Sequence, residues 1–167
     1  MNNLKSNFWG DETKQTVKWA KQALPTLVRQ AILGKVITYE ELRNEIGHNF
    51  SNAGKILGII GDAINCVNNI FHINAPQIQA LVVYKDTFIP GDNINKYITE
   101  VPYDKLELRG KKIFMEGYQK KIYDYNKWEF VLDVLDIKMP KPLYIDYLDD
   151  GYETSHNMIG EGEKHKN

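Results

Sequence analysis

A chain of 167 residues, 43% apolar and 26% charged, is long enough for one domain with a real core, and its net charge of −1 excludes a global electrostatic pull toward nucleic acid. The single cysteine, Cys66, excludes an intrachain disulfide and a cysteine-rich zinc site. No apolar run is long enough to span a bilayer and the opening MNNLKSNFWGDETK lacks an apolar signal core, so a cytoplasmic protein with no membrane partner is expected.

Residues 11–23, DETKQTVKWAKQA, place Val17, Ala20 and Leu24 at helical spacing, behind Asp11 and Glu12, whose charge suits a helix start. Pro25 is expected to interrupt that helix and open another, PTLVRQAIL. Its apolar face is Leu27, Val28, Ala31 and Ile32, and Gly34 ends it. KVIT forms a short strand. Thr38 and Glu41 stand three apart as a capping box for YEELRNEI, which buries Leu42 and Ile46 and stops at Gly47. HNFSN is a polar turn in which Ser51 or Asn52 caps the next helix, AGKILGIIGDAINCVNN. Ile56, Ile60, Ala63 and Val67 form its inward stripe, widened by Leu57 and Ile64. Gly54, Gly58 and Gly61 lower helix propensity there and let another group come close to the backbone.

QIQALVVYK, residues 77–85, reads as a buried strand and DTFIPGDN as a turn. Residues 103–125 are helical, with Leu106, Ile113, Phe114, Tyr118 and Ile122 on one side. NKWEFVLDVLDI is a short amphipathic helix with Trp128, Val131, Leu132 and Leu135 inward. Residues 139–167 carry a net charge of −3, which leaves +2 on residues 1–138. That end is expected to be an irregular, flexible acidic tail.

The order helix, helix, strand, helix, helix, strand, turn predicts a mainly α fold with a small β component: a winged helix-turn-helix-like core, an added N-terminal helix and two C-terminal helices. Residues 1–24 form the N-terminal helical extension, 25–92 the winged-helix-like core, 93–138 the packed C-terminal helices and 139–167 the tail. Strand 35–38 is expected to pair with strand 78–84. Helix 52–68 is the second of the helix-turn-helix pair, and the wing lies around 84–92.

Asn52, Lys55 and Asn65 on helix 52–68 are candidate nucleic-acid contacts, because asparagine reads adenine edges and lysine meets phosphate or guanine. Asp62 on the same helix works against them. Lys85 is the candidate at the wing. Arg109 and Lys112 lie in the densest basic string, with Lys111, Lys120 and Lys121. For each, an ordinary solvated surface is the competing reading. Trp9, Trp19, Trp128, Tyr123 and Tyr125 read as a binding platform or as core. His48, His72, His156 and His165 show no metal-ligand spacing. No phosphate loop and no nucleophile with a base stand out, so no catalytic residue, metal or cofactor is expected.

GKVITYEELRNEIG, AGKILGIIGDAIN and NAP leading into QIQALVV resemble the DNA-binding domain of alkylguanine-DNA alkyltransferases and alkyltransferase-like proteins, over residues 25–92. Gly34, Lys35, Val36, Thr38, Tyr39, Gly61, Ala63, Asn74 and Pro76 carry the resemblance. It implies a winged helix that binds double-stranded DNA. Where that family has a reactive Cys-His-Arg, this chain has Gln79, Ala80, Leu81, Val82 and Val83. Where the family's recognition helix has an arginine that fills the space of a flipped base, this chain has Gly58 or an apolar neighbour. Alkyl transfer is therefore not expected. A looser likeness over residues 23–136 is to short bacterial proteins of unsettled function linked to DNA defence systems. Together these lead to a non-enzymatic DNA-associated protein, an accessory or regulatory component of such a system. The alternative is a protein-binding module such as an immunity protein, an antitoxin or a complex subunit, which the near-neutral charge favours.

Overall fold

A computed structural model describes residues 8–47 and 52–139. His48, Ser51, most of the polar turn before residue 52, and the acidic tail with His156 and His165 lie outside the described residues. Five α-helices and two short strands make up the regular structure there, together with three 3-10 turns.

The first helix, α1, runs unbroken from Gln15–Leu33, so the interruption expected at Pro25 is absent. Proline removes the bond to the carbonyl four residues back and costs a helix interior about 3 kcal/mol. Burial outweighs that cost: Ala23, Leu24, Leu27 and Val28 flank Pro25 and are wholly enclosed. Ile32, expected on the apolar face, is instead exposed. Gly34 ends α1 in the left-handed conformation, at φ 67°, as its position requires. The buried Gln30 carboxamide donates to Val36 O at 3.0 Å and so aims the chain into the first strand.

That strand, β1 (Ile37–Thr38), leads directly into α2 (Tyr39–Ile46). The capping box is complete: Thr38 Oγ1 accepts from Glu41 N at 3.2 Å, and Thr38 N donates to Glu41 Oε2 at 2.9 Å. Leu42 is buried, and an Arg29–Glu45 ion pair ties α2 back to α1, with Nη2 2.7 Å from Oε2. Asn52 caps α3 (Ala53–Phe71) by accepting from Lys55 N at 3.2 Å. The six residues expected on the inward stripe of α3 are all buried, packed mainly against α1.

The pairing expected between 35–38 and 78–84 is present in shorter form. Ile37 faces Val82 and Thr38 faces Val83, in a parallel ladder of β1 with β2 (Val82–Val83). The rest of the expected strand is a buried 3-10 turn, Ile78–Leu81. Its backbone is satisfied from α4 (Leu108–Asp124) instead of a neighbouring strand: Gln119 Nε2 donates to Ala80 O at 3.0 Å, and Tyr118 Oη accepts from Gln77 N at 2.8 Å. No strand follows β2 among the described residues. Residues 84–89 close a tight loop instead, with Tyr84 N donating to Ile89 O at 3.0 Å.

Helix α4 begins later than the sequence suggests, after a 3-10 turn at Tyr103–Lys105. Its inward residues are Met115, Tyr118, Gln119 and Ile122, whereas Ile113, expected among them, is 61% exposed. At 3.6 residues per turn Ile113 stands about 140° around the helix from Tyr118 and about 180° from Ile122, so the face that buries those two leaves it outside. In α5 (Trp128–Val134) the inward side matches expectation, Leu135 included. Trp128 Nε1 donates to Ile122 O at 3.1 Å, and Trp9 Nε1 to Leu135 O at 3.3 Å, so Trp9 and Trp128 are core and not platform.

Candidate functional site

The glycines of α3 explain where a cavity forms. Gly54, Gly58 and Gly61 recur at spacings of four and three, so they share one helix face. Each is met by a side chain from the segment after β2 or before it. A Cβ at Gly54 would collide with the Asn93 amide nitrogen, and one at Gly58 would sit 3.1 Å from the Tyr97 hydroxyl. At Gly61 it would lie 2.5 Å from Gln79 Nε2 and 2.6 Å from the Tyr97 ring. Close approach to bare backbone thus builds one wall.

The Tyr97 hydroxyl lies 2.8 Å from Gly58 O and 3.0 Å from Asp62 Oδ1, and its one proton serves both acceptors. Burial, and then the bond to the Asp62 carboxylate, push its pKa up to about 12. On the opposite wall, Tyr39 Oη accepts from Gly91 N at 2.9 Å. Its ring leans on Tyr84 at 4.7 Å between centroids, and burial raises its pKa. The space between these walls is an open cleft of about 570 Å³, inside the range of small-molecule sites, roughly 300–1,000 Å³. Arg43 and Lys85 line it against Glu40 and Asp92, so its formal charges balance. Beneath it, Asn65, Gln77 and Gln79 form a ladder of carboxamides at 2.8 Å steps, and the terminal Gln79 Oε1 has no partner among the described residues.

The candidate residues divide by position. Asn52 and Lys85 line the cleft, and exposed Lys55 is joined through its amide to Asn52. Asn65 lies ten residues beyond Lys55, about 15 Å along the helix, and its Oδ1 is already engaged by Gln77 Nε2. Arg109 and Lys112 are exposed on the first two turns of α4. Lys111, between them, stands 4.0 Å from Asp92 at the rim of the cleft and 5.5 Å above the Tyr103 ring. Cys66, half-buried on α3, lines no part of the cleft.

No protein-family description, curated protein or solved structure matches this chain. Tyr39, Arg43, Tyr84, Asn93 and Tyr97 line the cleft and are not among the contacts expected from the sequence. The three glycines were the available signal, because helix-breaking residues repeated on one face announce that something packs there. Among the described residues no helix is long and apolar enough to cross a membrane, and no three metal-ligating side chains cluster.

Proposed function

We propose that this protein is a non-enzymatic DNA-associated module of winged-helix type, whose cleft accepts an unpaired base of double-stranded DNA. The observation that carries the reading is the placement of the cleft. It opens at the N-terminal end of α3, between Asn52 and Lys85, and is walled by three tyrosines. A charge-balanced space with three tyrosines in its walls suits a nucleobase, while exposed Lys55 and Lys85 suit the phosphates on either side. Arg109 and Lys112 extend that surface onto α4. The looser likeness of residues 23–136 to defence-linked proteins supports reading such a module as an accessory component of a DNA-directed system.

The test is DNA retention across salt concentration, whose slope counts the phosphates neutralised. Lys55→Glu combined with Lys85→Glu abolishes retention at low salt if the assignment holds. Unchanged retention removes both residues from the interface.

A second reading, a protein-binding module, draws on the far end of α3. There Ile70 and Phe71 are exposed, and Phe71 meets the exposed Phe130 edge to face at 5.5 Å. A stoichiometric protein that co-purifies, together with no salt-dependent DNA binding, decides for it.

A further inference from the structure

The buried glutamines differ in what their side chains hold. Gln30 and Gln119 brace the main chain, donating to Val36 O and Ala80 O at 3.0 Å. Gln77 and Gln79 are as deeply buried, at 4% and 3% exposure, yet their carboxamides hold each other. Gln77 Nε2 donates to Asn65 Oδ1, and Gln79 Nε2 donates to Gln77 Oε1, both at 2.8 Å. The ladder ends on Gln79 Oε1, a buried acceptor with no partner among the described residues. Gln79 lines the cleft, and its amide nitrogen and the Tyr97 ring lie side by side over Gly61. Leaving a buried acceptor unpaired is costly, so such atoms are rare and each asks for a reason. Here the reason is a donor brought by whatever fills the cleft.

We propose that Gln79 determines what the cleft accepts: its Oε1 takes an N–H from a neutral, planar heterocycle that carries an exocyclic amino group, such as an aminopurine. This rests on the reading of the cleft as a seat for a base, but not on DNA as the source of that base. A free nucleoside carries the same chemistry. Tyr39, Tyr84 and Tyr97 give the heterocycle aromatic walls, and the volume of about 570 Å³ holds it. Arg43 and Lys85 balance Glu40 and Asp92, so a neutral molecule enters without an uncompensated charge.

The experiment titrates the full chain, labelled with nitrogen-15, with adenosine and with purine riboside, which differs from it only in lacking the amino group. Adenosine is expected to shift the side-chain amide signals of Gln77 and Gln79 saturably, and purine riboside to bind about tenfold or more weakly. Gln79→Met keeps the length of the side chain and removes the acceptor. In that variant the two nucleosides bind within about twofold of each other. Should Gln79→Met fail to fold, the two affinities of the wild type still decide. No saturable binding of adenosine, equal affinities in the wild type, tighter binding of purine riboside, or a preference that persists in folded Gln79→Met each overturns the proposal. A duplex with one unpaired adenine then separates the two sources of the base. Displacement of adenosine by the duplex supports a seat shared with DNA, and adenosine that the duplex leaves in place supports the free molecule as the ligand. A wild-type protein with no salt-dependent DNA retention overturns the DNA reading alone, because the nucleoside titration stands without it.

Discussion

The ring of Tyr97 rests on Gly61, where a methyl group would lie 2.6 Å from Cε1 and 2.5 Å from the neighbouring Gln79 amide nitrogen. Two effects oppose each other at this position. Alanine is the better helix former by about 1 kcal/mol, but overpacking costs roughly 1–3 kcal/mol. The overlap involves a ring whose hydroxyl is held by Gly58 O and by Asp62, so it does not swing away freely. Gly61→Ala is therefore expected to destabilise the protein. Gly117 on α4 has nothing within 4 Å of its would-be Cβ, and Gly117→Ala is expected to stabilise by about 0.5–1 kcal/mol. Urea midpoints of the two variants should move in opposite directions. A shared upward shift means the cleft wall yields without cost.

Tyr118 offers a test of how the buried 3-10 turn is satisfied. Its hydroxyl accepts from Gln77 N at 2.8 Å, and Gln77 is buried. Tyr118→Phe keeps the ring and strands that amide, at about 1–3 kcal/mol. Amide exchange at Gln77 should accelerate well beyond that at the fully enclosed Ile60. Exchange unchanged at Gln77 would mean another acceptor had replaced the phenol.

Local signals in this sequence predict the structure where the cause lies within a turn or two of the residue. The Thr38–Glu41 box, the Asn52 cap and the glycine ends at 34 and 47 depend on backbone geometry nearby, and each appears as expected. The inward stripe of α3 followed from its period for the same reason. What escaped was tertiary. QIQALVVYK looked like a strand because it is apolar and will be buried, yet side chains of α4 supply its hydrogen bonds and leave only Val82–Val83 extended. Tyr39 and Tyr97 are 58 positions apart in the chain, and no periodic pattern connects them across one cleft.

Pro25 is a residue that local rules misplace and tertiary packing tolerates. It sits inside α1, where its nitrogen donates nothing to the carbonyl of Lys21. Pro25→Ala restores that donor. The gain is partly offset because proline also restricts the unfolded chain, an effect of roughly 0.4–1 kcal/mol. A net stabilisation of about 2 kcal/mol is expected, and the melting temperature should rise accordingly. A fall would show that the ring fills space against the α1 neighbours that alanine leaves empty.

The alkaline limb of stability reports on the cleft. In the unfolded chain the Tyr97 phenol ionises near its ordinary value of 10.0, whereas in the folded protein burial and the Asp62 carboxylate hold the proton until about 12. Between those values the unfolded chain gives up a proton that the folded chain keeps. The contribution is complete below pH 10.0, shrinks as pH rises and is gone above about 12. Tyr103, pushed up to about 12 chiefly by burial, adds a fall in the same window. Tyr97→Phe loses the bonds to Gly58 and Asp62 and so melts earlier at neutral pH, yet it should lose less of its remaining stability between pH 10 and 12. Melting temperature against pH, alongside phenolate absorbance, separates the two effects. If the mutant and the wild type decline in parallel, the phenol of Tyr97 is not buried against α3, and the wall built on the three glycines is drawn wrongly.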